Sequence, residues 1–193
     1  MNKLNFIAGI NRSSYGYHAT YVIDSLIKLG VDVRIIPIGG VDPDPKFKMP
    51  TGLFHHNAPC IRLWHQFSLG EFAGSGKKIG FSVFELDDLN EVEIHNIKNC
   101  DLFITATDWG KSVCNKYGID AKVIPLGIDP DIFFPTEIKP SDHCIFGNLG
   151  KFEIRKGHDV LIKAFNAAFE KDDKVSLVML PHNPFLRPEQ LRV

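Results

Sequence analysis

The chain has 193 residues, of which 44% are hydrophobic and 23% are charged, values typical of a globular protein with one domain or one domain and part of another. Its formal net charge of −1 argues against a dedicated nucleic-acid-binding protein, because such a domain is normally strongly basic. No apolar run is long enough to span a membrane, and residues 1–10 do not form a signal peptide, so a cytoplasmic protein is expected.

Short apolar segments alternate with helical patterns over residues 3–125, which predicts an α/β fold with a parallel sheet. Residues 39–59 are rich in glycine and proline and are predicted to form an irregular loop. The predicted strands cover residues 3–10, 31–38, 60–64, 78–83, 102–105 and 121–125.

The first predicted helix opens at Tyr15, directly after the first strand. Its inner face is expected to hold Val22, Leu26 and Leu29, which follow helical spacing, and Gly30 is placed to end it.

Two further helices are predicted before residue 121. One covers about 89–98, and the other begins after Thr107, a residue that caps helix N-termini well. Trp109, Val113 and Tyr117 are expected to form the buried stripe of the second of these helices.

The second part of the sequence has a different organisation. Residues 129–142 are rich in proline and lack periodicity, which indicates a linker between domains. Residues 143–193 contain one strand–helix–strand pattern. The predicted inner face of its helix consists of Val160, Leu161, Ala164, Phe165, Ala168 and Phe169.

Four cysteines lie far apart, without a C-x-x-C pair, and are expected to be buried and reduced (Cys60, Cys100, Cys114 and Cys144). The two D-x-D sequences, Asp42-Pro43-Asp44 and Asp129-Pro130-Asp131, have proline at their centres. Ordinary turn chemistry explains them better than a metal site does.

The segments Cys100–Trp109 and Val123–Pro135 carry two motifs of one enzyme family. The first is a strand–helix that begins Cys-Asp, and the second reads V-I-P-x-G-I-D-x-x-x-F-x-P. In order and spacing they resemble the end of the first domain in GT-B glycosyltransferases, especially the retaining enzymes of glycosyltransferase family 4. The resemblance covers roughly residues 1–180 and implies a Rossmann-like, acceptor-side N-terminal domain over 1–128.

The resemblance also implies an activity. Such an enzyme transfers a sugar from a nucleotide-diphosphate donor to an acceptor hydroxyl, with retention of configuration and without a metal or another cofactor. Residues 129–142 would then be the interdomain linker, and 143–193 an incomplete donor-binding domain. The family's paired glutamates of the second domain have no counterpart in this sequence, so a second chain that supplies the missing half is a possible partner.

The loop after the predicted strand at 144–150 has the residues of an anion site. Gly150 ends the strand, Lys151 and Lys156 add positive charge, and the following helix would direct its free N–H groups at the ligand. The family has its basic pair for the donor diphosphate at these two lysines. The alternative is a solvated basic loop.

The first turn between strand and helix is the second candidate. Doubly wound folds bind ligands at such turns, and Arg12, Ser13, Ser14 and Gly16 can bind phosphate, form hydrogen bonds or allow close approach of the backbone. Alternatively, Gly16 serves only to allow the backbone conformation of the turn.

Two residues that follow strands are candidate catalytic residues. His65 stands where many family members place a histidine near the sugar and acceptor, and Glu85 resembles an acidic position that could orient the acceptor hydroxyl. An ordinary hydrogen-bonding histidine and a solvated helix-start carboxylate are the alternatives.

The sequence also allows two other functions. One is a non-catalytic module that binds nucleotide sugars or sugar phosphates and derives from such an enzyme. The other is a nicotinamide-dependent oxidoreductase, which the absence of G-x-G-x-x-G disfavours.

Overall fold

The structure is a computed structural model and describes residues 2–47, 49–50, 52–137 and 141–183. The chain divides into two compact units, of which the first ends at Asp129 and the second begins at Pro130. Within the described ranges, no helix is long and apolar enough to cross a membrane. The predicted linker and second domain include residues 138–140 and 184–193, which lie outside those ranges.

The first unit is built on a parallel sheet of six strands, which confirms the predicted α/β class and is consistent with a Rossmann-like domain. The strands are β1 (Lys3–Ile10), β2 (Asp32–Val41), β3 (Cys60–Leu63), β4 (Lys78–Ser82), β5 (Leu102–Thr105) and β6 (Ala121–Val123). They lie side by side in the order β2-β1-β3-β4-β5-β6.

The described residues of this unit form three α-helices and a short 3-10 helix at Gln66–Ser68. The helix α1 (Ser14–Lys28) follows β1, α2 (Glu91–Lys98) follows β4, and α3 (Asp108–Asn115) follows β5. Asn90 begins α2 with a complete capping box, since its side chain accepts from the Glu93 amide and Glu93 accepts from the Asn90 amide.

The predicted inner face of α1 is partly wrong. Ala19 and Ile23 are fully buried, whereas Leu29 is 80% exposed. Leu29 is the C-cap residue and lies beyond the last helical turn, so helical spacing no longer directs its side chain inward. Gly30 follows with a φ of 81°, a left-handed conformation that glycine adopts easily, as predicted for a helix end.

For α3, the prediction that Thr107 caps the helix is confirmed, and the prediction that Trp109 is buried is wrong. Thr107 caps the helix by accepting a hydrogen bond of 3.0 Å from the Gly110 amide. Trp109 is 47% exposed, because Gly110 takes the inward position. A Cβ at Gly110 would lie 2.3 Å from Thr105 Oγ1, so α3 and β5 are too close for a larger residue there.

The sheet is buried on both faces, as parallel sheets generally are. The neighbours Phe103 and Ile104 on β5 project to opposite faces and belong to different apolar clusters. Ile104 belongs to the cluster of Phe6 and Ile23, and Phe103 to the cluster that includes Val113. An apolar cluster on each face of the sheet therefore stabilises the position of the central strands.

The cysteines are all free, and the expectation of burial holds for Cys60 and Cys114. Cys100 is partly buried. Cys144 is exposed, so the prediction is wrong there, since it begins a strand of the smaller second unit.

The described part of the second unit contains two parallel strands, β7 (Cys144–Gly150) and β8 (Val175–Pro181), and the helix α4 (His158–Ala168) between them in the chain. The rings of Phe146, Phe165 and Phe169 pack together at centroid distances of 5.0–5.8 Å. They form the contact between α4 and the sheet.

The predicted inner face of α4 is wrong in part. Val160 is 63% exposed and Ala164 and Ala168 are also exposed, because the covered line runs through His158, Leu161 and Phe165. On the face of the sheet opposite Phe146, the exposed apolar side chains are Ile145, Leu149, Val178 and Leu180.

Candidate functional site

The order of the strands identifies the candidate site in the first unit. β2 lies on one side of β1 and β3 on the other, so the direction of chain progression reverses at β1. In open α/β sheets, ligands bind outside the carboxyl ends of the strands at such a reversal. A pocket of about 250 Å³ lies at this edge, and its lining residues are Ser14, Tyr15, His18, His65, Val83, Glu85 and Leu126.

Three of the predicted site residues meet in this pocket. Ser14 follows β1, His65 follows β3, and Glu85 follows β4, and all three line the cavity. Arg12, Ser13 and Gly16 are not among its lining residues.

Internal hydrogen bonds order the turn before α1. The Asn11 side-chain oxygen accepts from the Ser13 amide at 3.0 Å and from the Ser13 hydroxyl at 2.5 Å. Arg12 Nε lies 3.6 Å from Asp42 Oδ2, and both side chains are exposed. The polar groups of Ser13 and Arg12 are thus engaged with the protein in this structure.

Gly16 is required by the same turn. A Cβ at this position would lie 2.1 Å from the Asn11 carbonyl oxygen and 2.5 Å from the Asn11 side-chain oxygen. Gly16 is buried in the first turn of α1. Close packing against Asn11 therefore explains the glycine without a ligand.

Tyr15 connects the segments that line the pocket, and sequence analysis did not identify it. Its hydroxyl donates to the Val83 carbonyl oxygen at 3.2 Å and accepts from the Val83 amide at 3.4 Å. Its ring centroid lies 4.7 Å from that of His65 and 5.6 Å from that of Trp64. Burial is the main cause that raises the Tyr15 pKa, and the Glu85 carboxylate adds to it.

His65 is held between aromatic rings. The Phe67 ring stacks on it at 5.3 Å with an interplanar angle of 8°, and the Trp64 ring meets it at 77°. Trp64 in turn needs Gly9 on β1, because a Cβ there would lie 2.8 Å from the indole. Aromatic packing thus fixes the orientation of the imidazole at the pocket.

His18 is the second residue that sequence analysis missed. It lies three positions after Tyr15, a spacing that places both side chains on one side of α1. Its Nε2 atom is buried and has no hydrogen-bond partner in the part of the chain that the structure describes. Burial lowers the His18 pKa, and the ring packs edge-on against Phe81 at 5.4 Å.

The predicted anion loop of the second unit follows β7. Lys151 Nζ and Arg155 Nε each lie 2.7 Å from a different carboxylate oxygen of Glu153. These contacts, that of Lys151 above all, lower the Glu153 pKa. With the cations Lys151, Arg155 and Lys156 and one carboxylate, the loop has a formal charge of 3 − 1 = +2.

The start of α4 has features that favour an anion. Gly157 is its N-cap residue, with a φ of 63°, and provides no side-chain cap for the first amides. Lys156 is exposed directly before it. His158 is only 6% exposed and stacks on Phe152, and its Nε2 atom has no hydrogen-bond partner among the described residues.

The aspartates of the first D-x-D sequence form polar contacts within the protein. Asp42 pairs with Arg12, and Asp44 accepts a hydrogen bond of 3.0 Å from the Lys46 amide. In the ranges that the structure covers, no group of three histidine, cysteine or acidic residues is arranged to hold a metal ion.

Comparison with known proteins finds no family model that matches the chain and no curated protein that is significantly similar to it. The pocket beside β1 and β3 and the loop between β7 and α4 are therefore the observations from which a function is inferred.

Proposed function

We propose that the chain acts as a retaining glycosyltransferase of the GT-B type. It would transfer a sugar from a nucleotide-diphosphate donor to a hydroxyl of an acceptor, without a metal. The observation that carries the proposal is the meeting of Ser14, His65 and Glu85, from three separate segments, in one pocket at the strand reversal. The sequence motifs at Cys100–Trp109 and Val123–Pro135 supply the reaction class by resemblance.

The first unit would bind the acceptor. The exposed Glu85 carboxylate can accept a hydrogen bond from the acceptor hydroxyl, and the oriented His65 ring can form a second one. Ser14 offers a further donor and acceptor at the same cavity. Such contacts hold the hydroxyl in one place, which raises the rate by orientation alone.

The second unit would bind the donor diphosphate. Exposed Lys156 and the uncapped first amides of α4 offer positive charge to an anion. Their main effect would come as the nucleoside diphosphate departs, because negative charge develops on the leaving group in the transition state. Lys151 and Gly150 belong to the same loop, although Lys151 also contacts Glu153.

The test follows nucleoside diphosphate release from UDP-, GDP- and ADP-hexoses by the chain, alone and together with a chain that supplies the second half of such an enzyme, with methyl hexosides as acceptors and a metal chelator present. We expect release from one donor, a product of unchanged anomeric configuration by NMR, and a large loss of rate in Glu85→Gln. Glu91→Gln, an exposed carboxylate at the start of α2, is the matched control. Donor binding without release or product would instead support the non-catalytic binding module, and a strict manganese requirement would contradict the proposed mechanism.

A further inference from the structure

The pocket in the first unit has walls of mixed character. The Tyr15 ring, Val83 and Leu126 supply apolar surface, while Ser14, His18 and Glu85 supply hydrogen-bonding groups. A ligand that fits such walls has both C–H faces and hydroxyl groups, as a sugar ring does. The pocket volume of about 250 Å³ lies just below the usual range of small-molecule sites, which suits one ring rather than an oligosaccharide.

The charge of the lining restricts the ligand further. Glu85 is acidic, and none of the described lining residues is lysine or arginine. An anionic group in this pocket would face a carboxylate and would meet no lysine or arginine among the described lining residues. Since like charges at close range oppose binding, phosphorylated or carboxylated ligands are disfavoured.

His18 lines this pocket and carries an unsatisfied polar atom. Nearly all buried polar atoms in native proteins have a hydrogen-bond partner, and a buried one without a partner calls for an explanation. His18 Nε2 is buried without a partner among the described residues, and His18 lines the cavity. Rotation of the His18 ring would open Nε2 to the cavity, where a hydroxyl of a bound ligand would supply the missing partner, because a neutral imidazole nitrogen either donates or accepts.

We propose that the pocket binds one uncharged, polyhydroxylated ring of hexose size, with His18 Nε2 hydrogen-bonded to one of its hydroxyls. As a statement about the acceptor, this inference rests on the proposed function, and it assigns that acceptor to neutral sugars. His18 is then a specificity-determining residue that distinguishes a hydroxylated ring from an apolar one.

The test measures binding by the full chain with ligand-observed NMR, in the absence of any nucleotide. The probes are methyl glucoside, methyl mannoside and methyl galactoside, with glucose 6-phosphate and mannose 6-phosphate as anionic counterparts and cyclohexanol as the apolar counterpart. We expect at least one methyl hexoside to bind, and to bind more tightly than its 6-phosphate and than cyclohexanol.

Two variants test the role of His18. His18→Leu removes the nitrogen and should weaken hexoside binding about tenfold, the effect of one net hydrogen bond. His18→Gln retains a polar atom and should lose less. His56→Leu, an exposed histidine away from this pocket, should bind as the wild type does. Circular dichroism confirms that each variant is folded.

The inference is overturned if no hexoside binds at its highest soluble concentration, if the 6-phosphates bind better, or if folded His18→Leu binds unchanged. Its failure is distinguishable from failure of the proposed function. Sugar transfer that does not depend on His18 would contradict the inference alone. His18-dependent hexoside binding without any donor turnover would contradict the transferase and leave a neutral-sugar binding site.

Discussion

The ring of Tyr15 packs on the ring of His65 at a centroid distance of 4.7 Å and an angle of 54°. This contact joins the first turn of α1 to the segment after β3. The Tyr15 hydroxyl extends the connection to the segment after β4 through its two hydrogen bonds with Val83. One side chain thus holds together three of the segments that line the pocket.

Removal of that hydroxyl should destabilise the first unit. In Tyr15→Phe the partly buried carbonyl and amide of Val83 lose their contacts with the hydroxyl. We expect the free energy of unfolding to fall by about 1–2 kcal/mol, the usual scale for a buried hydrogen-bonding group left unsatisfied. Urea denaturation, followed by tryptophan fluorescence, measures this change.

Tyr17→Phe is the matched control for Tyr15→Phe. Tyr17 lies two positions later on α1 and is exposed. Its loss of a hydroxyl should change the free energy of unfolding by less than about 0.5 kcal/mol, as surface substitutions usually do. If both variants changed the free energy of unfolding equally, the hydrogen bonds between the Tyr15 hydroxyl and Val83 would not contribute to stability.

Gly16→Ala should be destabilising even though alanine is the better helix former. Alanine would normally favour a helix by about 1 kcal/mol, but here its Cβ would lie 2.1 Å from the Asn11 carbonyl oxygen. Backbone shifts that relieve such a contact cost about 1–3 kcal/mol. Thermal denaturation should therefore show a lower midpoint for Gly16→Ala.

Gly40→Ala provides the comparison for this prediction. Nothing lies within 4 Å of a Cβ placed at Gly40, and its φ is not positive. We expect the midpoint of Gly40→Ala to stay close to that of the wild type. An unchanged or raised midpoint in Gly16→Ala would contradict the packing that the structure gives to the turn.

Several strands could be predicted closely from the sequence. β1 and β5 have the predicted bounds because each is a short apolar run between polar residues. β2 was predicted to end at Ile38, yet it continues through Gly39 and Gly40 to Val41. The extension is supported by pairing with β1, which resumes after an irregularity in register near Gly9. The conformational preferences of Gly39 and Gly40 do not indicate this pairing.

The candidate site was predictable only in part. Ser14, His65 and Glu85 follow strands, and the carboxyl ends of parallel strands meet at one edge, so sequence reasoning could bring them together. Leu126 joins the same pocket from beyond β6, and only the tertiary arrangement places it there. The role of Tyr15 depends likewise on a contact with Val83, 68 positions away in the chain.

The four cysteines should differ strongly in reactivity. Burial raises the pKa of Cys100 and of Cys114 to about 11 and also raises that of Cys60, whereas Cys144 is exposed. Because the thiolate is the reactive form, a chromogenic disulfide reagent at about pH 8 should titrate one thiol rapidly in the native protein.

Cys144→Ser identifies the reactive thiol. The variant should lose the fast phase of labelling, while wild type in denaturant should show all four thiols reacting at one fast rate. A fast phase that persists in native Cys144→Ser would mean that one of the other three cysteines is more accessible than the structure indicates.

His18 should make the stability of the first unit depend on pH. Burial lowers its folded-state pKa below the unfolded value of about 6.5, so protonation favours the unfolded chain. The contribution to stability is complete above about pH 6.5 and is lost as the pH falls from there through the folded-state pKa.

The measurement compares the free energy of unfolding at about pH 7.5 and about pH 5.5 in wild type and in His18→Gln, which does not titrate in this range. We expect the wild type to lose more stability than His18→Gln between these two conditions. The same loss in both proteins would assign the pH dependence to other groups.

The proposed donor site is tested by calorimetric titration of UDP-, GDP- and ADP-hexoses into the full chain, with a metal chelator present. We expect weak binding of one donor, with an affinity that Lys156→Ala lowers by about 1–2 kcal/mol, or about 5- to 30-fold, since one charge-assisted hydrogen bond is lost. Lys163→Ala, which removes an exposed lysine from the middle of α4, should retain the wild-type affinity. Absence of binding for every donor, or equal affinity in wild type and Lys156→Ala, would show that the loop before α4 does not bind a donor diphosphate.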